Sequence, residues 1–188
     1  IPGVSWFAAQ AMCANAGKRL CSNAEWQLAA LGTPDPGDGV TISGGGSALD
    51  ACNVANNAGR GEHAGSAGNP ANSGAHADCR SRFGAHDMIG NLWEHVADWG
   101  VGNATRTDIT SLPMKTPWPS GFGADAVYGV NGAADHGGAD QGIGGPASMI
   151  RGGSFNSDGV TAGAFTLSMG NGPAKVQATV GFRCCASR

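Results

Sequence analysis

The sequence predicts a single disulfide-stapled α+β domain with long glycine-rich loops, and three observations point there. Two capped helix signals stand near the N-terminus, two short strand patterns stand near the C-terminus, and six cysteines surround a middle rich in turn residues. At 188 residues the chain is long enough to bury one core. Its 33 glycines and 31 alanines make up a third of it, far above ordinary glycine usage. No three-residue glycine period exists, which excludes collagen, and a hydrophobic share of 41 % with five Trp and six Phe excludes wholesale disorder.

The first helix is capped by Ser5, runs through Trp6, Phe7, Gln10, Cys13 and Ala14, and ends at Gly17. Lys18-Arg19-Leu20-Cys21 leads into Ser22, which forms a capping box with Glu25 and starts a second helix through Trp26, Leu28 and Leu31 to Gly32. Thr33 to Gly39 is turn chemistry, and residues 40 to 85 stay rich in Gly, Ala, Asn and Ser. Residues 86 to 99 combine Trp93, Val96 and Trp99, read as a strand or short turn entering the core, with the oxygen donors Asp87, Asn91, Glu94 and Asp98 beside a glycine. Residues 100 to 149 form a second long irregular region. Met149–Phe155 and Val180–Cys185 read as two strands bracketing a polar insert.

Charge excludes one class of partner. Only 13 % of residues are charged, the net charge is −3 and no basic run exceeds Lys18-Arg19, so the footprint of a nucleic-acid binder is absent. No apolar stretch approaches the length of a membrane span, and a start at Ile1 reads as a mature or trimmed fragment. The cysteines (13, 21, 52, 79, 184 and 185) contain no C-x-x-C pair, which argues against zinc or thioredoxin chemistry and for disulfides in an oxidising compartment. On a strand, Cys184 and Cys185 face opposite ways and staple two different elements. Cys52 and Cys79 enclose a loop, and a bond between them removes unfolded-chain entropy worth about 3 kcal/mol.

Five segments in order, Val4-Ser5-Trp6, Ala16–Leu20 with Ala24-Glu25-Trp26, Met88–Glu94, Arg151–Phe155 and Gly181–Cys184, resemble the formylglycine-generating enzyme (sulfatase-modifying factor) family. The resemblance implies a C-type-lectin-like fold with a small twisted antiparallel sheet, two helices and abundant loops. The family's N-terminal strands before Val-Ser-Trp are missing, which implies a longer parent protein or a shortened variant. The resemblance also pairs Cys13 with Cys184; opposite-face geometry then favours Cys21 with Cys185 and leaves Cys52 with Cys79, the first two pairings being interchangeable. At the Gly-Asn-x-Trp-Glu motif it implies structural Ca²⁺ held by Asp87, Gly90, Leu92 and Glu94, a hard-cation set of carboxylates and carbonyls. The alternative is that Asp87 and Glu94 only accept backbone hydrogen bonds around a tight turn.

The family's oxidases carry a reactive cysteine pair after Arg-Gly-Gly-Ser, and its iron-dependent relatives an H-x3-H-x-E triad; this chain has neither, so no catalytic residue is assigned. Within the same fold, Arg151-Gly152-Gly153-Ser154-Phe155 followed by a small-polar run ending in Gly-Phe-Arg-Cys resembles the variable region of proteins diversified by retroelements. That resemblance implies a ligand-binding display module on a cell or virion surface, with a protein or glycan partner on another cell or virus. Its candidate contacts are Phe155, Asn156, Ser157, Asp158, Val160, Thr161, Thr166, Ser168, Asn171, Lys175, Gln177 and Thr179. The competing readings are a divergent metal-dependent oxidase and a structural subunit of a surface appendage. Trp6, Trp26, Trp93 and Trp99 are expected in the core and Trp118 in a loop. His86 and His95 have no nucleophile at a recognisable spacing; Asp135 and Asp140 form a second, weaker cation candidate, and Asn103 heads a glycosylation pattern.

Overall fold

The computed structural model describes residues 1–34, 51–54, 69–101, 127–128, 146–157 and 162–186. Helix α1 spans Trp6–Asn15; Ser5 stays extended at its N-cap and its side chain accepts the Ala8 N–H, while Gly17 takes φ +68° just beyond the C-terminus. Strand β1, Lys18–Leu20, follows, then α2, Asn23–Ala30. The capping box is complete: the Glu25 N–H donates to Ser22 Oγ, and the Ser22 N–H donates to Glu25 Oε2 at 2.9 Å. Arg19 adds a bidentate ion pair to that carboxylate at 2.7 and 2.6 Å, and the pair with the Ser22 donors holds Glu25 down to about pKa 2.

Among the described residues the remaining strands are β2 (Trp93–Val101), β3 (Val127–Tyr128), β4 (Pro146–Arg151), β5 (Leu167–Asn171), β6 (Val180–Phe182) and β7 (Cys184–Ala186). Strands β1 and β7 pair antiparallel, and the other five form a sheet in the order β3-β5-β4-β2-β6. That sheet is mixed, because β6 lies parallel to β2 and β3 parallel to β5. The polar insert expected between the two C-terminal strands contains β5, antiparallel to β4, and the last strand pattern splits at Arg183 into β6 and β7.

Three disulfides close the frame: Cys13–Cys184, Cys21–Cys185 and Cys52–Cys79. Adjacent Cys184 and Cys185 staple α1 on one side and the residue after β1 on the other, as alternation along β7 requires. Among the described residues three small apolar clusters form the core: Val4, Ala9, Cys13 and Leu20 under α1; Trp26, Ala30, Met88 and Val96 under α2; and Ala51, Cys52, Val54, Cys79, Ile89 and Ala162 around the third disulfide.

Candidate functional site

The loop before β2 folds as a chain of left-handed residues, Asp87 (φ 56°), Gly90 (φ 72°) and Asn91 (φ 57°). Asn91 explains why the loop closes. Its N–H donates to Asn53 O at 2.7 Å, its Oδ1 accepts from Ala71 N and Asn53 Nδ2, and its carbonyl accepts the Phe155 N–H. One buried residue, through its side chain and backbone together, therefore joins Asn53, Ala71 and the segment after β4. Gly90 passes so close to Asn53 that a Cβ there would stand 2.3 Å from its carbonyl oxygen.

Asp87, Leu92 and Glu94 border one cavity of about 310 Å³, with Asn72, Ser73 and Arg183 on the same wall. Gly90, the fourth expected metal ligand, is not on that wall, and its N–H donates to Gly152 O. Asp87 Oδ2 accepts from Gly74 N at 2.7 Å and from Ser73 Oγ at 3.3 Å. Glu94 Oε2 accepts from Trp26 Nε1 at 2.7 Å and Arg183 Nε at 2.5 Å, and Oε1 accepts from Arg183 Nη2 at 2.6 Å. Burial works against the Arg183 charge, but Glu94 and then Asp87 outweigh it and hold the guanidinium pKa above its ordinary value. Two carboxylates against one guanidinium leave the wall with net charge −1, and Glu94 Oε1 carries a single donor. This oxygen-rich, anionic chemistry fits a hard cation; the remaining ligands would be carbonyl, amide or hydroxyl oxygens, since no cluster of three His, Cys, Asp or Glu exists among the described residues. The sequence reading missed the partners of Glu94. Only the late Gly-Phe-Arg motif hinted at Arg183.

The candidate contact residues separate into two groups. Phe155, Ser157, Thr166 and Ser168 are buried, Thr166 completely, so these four support the loops instead of presenting their side chains. Asn156 is exposed, and Lys175, Gln177 and Thr179 are half-buried on a turn that also exposes Val176. Asn171 ends β5 opposite Ser148, while Asp158, Val160 and Thr161 lie outside the described residues. At the end of β4, Arg151 stacks on Trp26 at 4.6 Å and donates to Ala164 O at 2.8 Å, to Asn23 Oδ1 and to Gln27 Oε1. Gln27 Nε2 binds the same Ala164 carbonyl.

Trp26 is fully buried and Trp6 and Trp93 are half-buried, but Trp99, expected in the core, is 40 % exposed. The β2–β4 register shifts between His95 and Trp99, and Trp99 meets Trp6 and the exposed Phe7 edge-on. His95 is buried with Nε2 on Val4 O, and burial lowers its pKa to about 4, so it is neutral at pH 7. His86 is half-buried and its carbonyl accepts from Arg183. Trp118, Asn103, Asp135 and Asp140 lie outside the described residues. Among the described residues, no helix is long and apolar enough to cross a membrane.

A family model described as the sulfatase-modifying factor enzyme 1-like domain matches residues 1–188. The formylglycine-generating enzyme of Thermomonospora curvata is 31 % identical over 121 residues, which cover 61 % of this chain and 39 % of that enzyme. The chain thus spans well under half the length of this curated relative. Among solved structures, the Major Tropism Determinant U1 variant is similar with a TM-score of 0.54 at 19 % identity, and the P3c variant with 0.54 at 16 %. Both matches cover 96 % of this chain and 36 % of the other. At such identities the likeness is one of fold, and that fold is the C-type-lectin-like α+β architecture expected from the sequence.

Proposed function

This chain belongs to the sulfatase-modifying factor enzyme 1-like family, and we propose that it serves as a non-enzymatic, ligand-binding display module. One observation carries the reading: all six cysteines are joined in disulfides that clamp the frame. The oxidase chemistry expected of the family's reactive cysteine pair needs thiolates, and a cystine supplies none. The segment after Arg-Gly-Gly-Ser, where that pair stands in the family, instead carries the exposed Asn156 and the turn around Val176. Loops on a stapled scaffold tolerate exchange of side chains without unfolding, which suits a changing contact surface.

The displayed positions are Asn156, Lys175, Val176, Gln177 and Thr179, flanked by Asp158, Val160 and Thr161; the buried Phe155, Ser157, Thr166 and Ser168 hold them in place. The partner is a protein or glycan on another cell or a virus, and the module stands outside the cell, on a cell or virion surface. The fold neighbours are variants of a protein named for determining tropism, which supports a recognition role. Structural Ca²⁺ in the cavity beside Asp87 and Glu94 rigidifies the frame.

The test has two arms. Incubation with copper, oxygen and a peptide bearing a sulfatase-type cysteine leaves the peptide mass unchanged; formation of an aldehyde overturns the reading in favour of the divergent oxidase. Randomising the exposed Asn156 and Val176 leaves most clones within a few degrees of the parent Tm, because exposed substitutions cost about 0.5 kcal/mol or less. General unfolding of the library removes the case for a changeable surface.

A further inference from the structure

Residues 79 to 87 form a spur whose turn is closed by its own backbone and one serine. Ser81 N–H donates to Ala85 O at 2.8 Å, Gly84 N–H donates to Ser81 O at 2.9 Å, and Ser81 Oγ accepts from Phe83 N and Ala85 N. An antiparallel bridge joins Arg80 to His86, and the Cys52–Cys79 disulfide pins the base. None of this uses the side chains of Arg80, Arg82 or Phe83. All three are exposed, Phe83 by 61 %, with the Arg82 guanidinium 5.7 Å from the Phe83 ring centroid. The Arg82 N–H donates to Leu31 O at 3.0 Å, which sets the spur beside the end of α2, where Leu28 and Leu31 are also exposed.

The result is a preorganised patch of two arginines, one phenylalanine and two leucines on a chain of net charge −3. Among the described residues no carboxylate pairs with Arg80 or Arg82. Exposed Arg and aromatic residues on a rigid frame are the makings of a protein-binding hot spot, since little ordering entropy remains to be lost. We propose that the spur and the end of α2 form a docking surface for an acidic protein segment that also carries apolar side chains. The proposal stands independently of the display reading, because none of its residues lies in 155–179. A lipid surface is the poorer match: two cations contribute only about 2 kcal/mol at an anionic membrane, and the turn supplies no amphipathic helix.

The probe is a short synthetic peptide alternating Glu with Leu and Phe, titrated into the isotope-labelled chain at low salt, with a Glu/Ser peptide and phosphatidylglycerol-containing vesicles as comparisons. Amide shifts are expected at Leu28, Leu31 and Arg82 to Gly84 with the first peptide. Arg80→Glu/Arg82→Glu weakens that binding by about tenfold or more, as reversal of a complementary charge does, at unchanged Tm. Phe83→Ser, which leaves the turn hydrogen bonds in place, weakens it independently. Shifts elsewhere, undiminished binding by both variants, equal binding of the Glu/Ser peptide, binding of vesicles alone, or self-association through this patch in sedimentation each overturn the proposal.

Discussion

Arg183 grips both carboxylate oxygens of Glu94, Nε to Oε2 at 2.5 Å and Nη2 to Oε1 at 2.6 Å, and so ties the break between β6 and β7 to the neighbouring strand β2. Trp26 Nε1 completes the site from α2. Removing one member of such a pair strands the other charge away from water, at a cost of about 3 kcal/mol. Arg183→Ala is expected to lose that much in urea denaturation, and Arg183→Lys distinctly less because one charged contact survives. Equal losses for the two variants contradict the bidentate account.

Gly90 and Gly3 provide a matched comparison, both with φ near +75°. A Cβ at Gly90 collides with Asn53 O and with Val54 Cγ1 at 2.8 Å, whereas at Gly3 nothing lies within 4 Å. Gly3→Ala therefore carries only the backbone strain, about 1 kcal/mol, and Gly90→Ala exceeds it by about 2 kcal/mol or more. Thermal melts of the two variants check the order, and similar Tm values contradict it.

How much of this was legible in the sequence depends on what kind of signal each element used. Ser5, Ser22 and Glu25 act locally, so both helices could be read directly, and Asp87–Glu94 marked the cavity loop because its glycine and two acids sit close together. β5 escaped because the alternation there is inverted: Thr166, just before the strand, and Ser168 are buried while Leu167 and Met169 are half-buried, so polar spacing imitated a loop. Trp99 escaped because a register shift in β2, invisible to alternation, turns it outward. The bidentate contact of Arg183 joins residues 89 positions apart, and no local pattern carries such a pairing.

The disulfides differ in the length of chain they close. Cys52–Cys79 spans a separation of 27 and Cys13–Cys184 one of 171. Chain-entropy arithmetic gives about 3.5 kcal/mol for the shorter loop and about 5 kcal/mol for the longer. Cys21–Cys185, however, overlaps Cys13–Cys184 and closes almost the same stretch of chain, so replacing Cys13 and Cys184 by Ala with Cys21–Cys185 intact releases only a loop of about ten residues, about 2.5 kcal/mol, and is expected to be milder than replacing Cys52 and Cys79 together. Guanidinium titration of the two double variants tests the ranking, and the reverse order contradicts it.

Glu25 titrates near pH 2 in the folded chain because Arg19 donates to it, followed in effect by Ser22. A carboxyl whose folded pKa lies below its unfolded value adds stability that is complete above about pH 4.5 and fades as pH falls towards 2. Carbon-detected NMR of the Glu25 carboxyl reads the midpoint directly. Arg19→Ala should return it most of the way to the ordinary range, and Ser22→Ala only part of the way; an unchanged midpoint in Arg19→Ala contradicts the assigned cause.

The proposed calcium site lies on the same cavity wall that Arg183 partly neutralises, so the expected effect depends on the carboxylate that Arg183 does not touch. Among the described residues, the Asp87 carboxylate is bonded through Oδ2 alone, to Gly74 N and Ser73 Oγ, whereas Glu94 shares both oxygens with the guanidinium. A ligand that binds the folded state alone stabilises by about 2.7 kcal/mol at a hundredfold excess over its Kd. Calcium is therefore expected to raise Tm and chelation to lower it, with magnesium less effective because it demands smaller, regular octahedral geometry. Asp87→Asn should abolish the calcium-dependent shift while keeping an acceptor for Gly74 N. A Tm indifferent to both calcium and chelator would leave Asp87 and Glu94 as acceptors around the turn, with Arg183 as the cation that the wall needs.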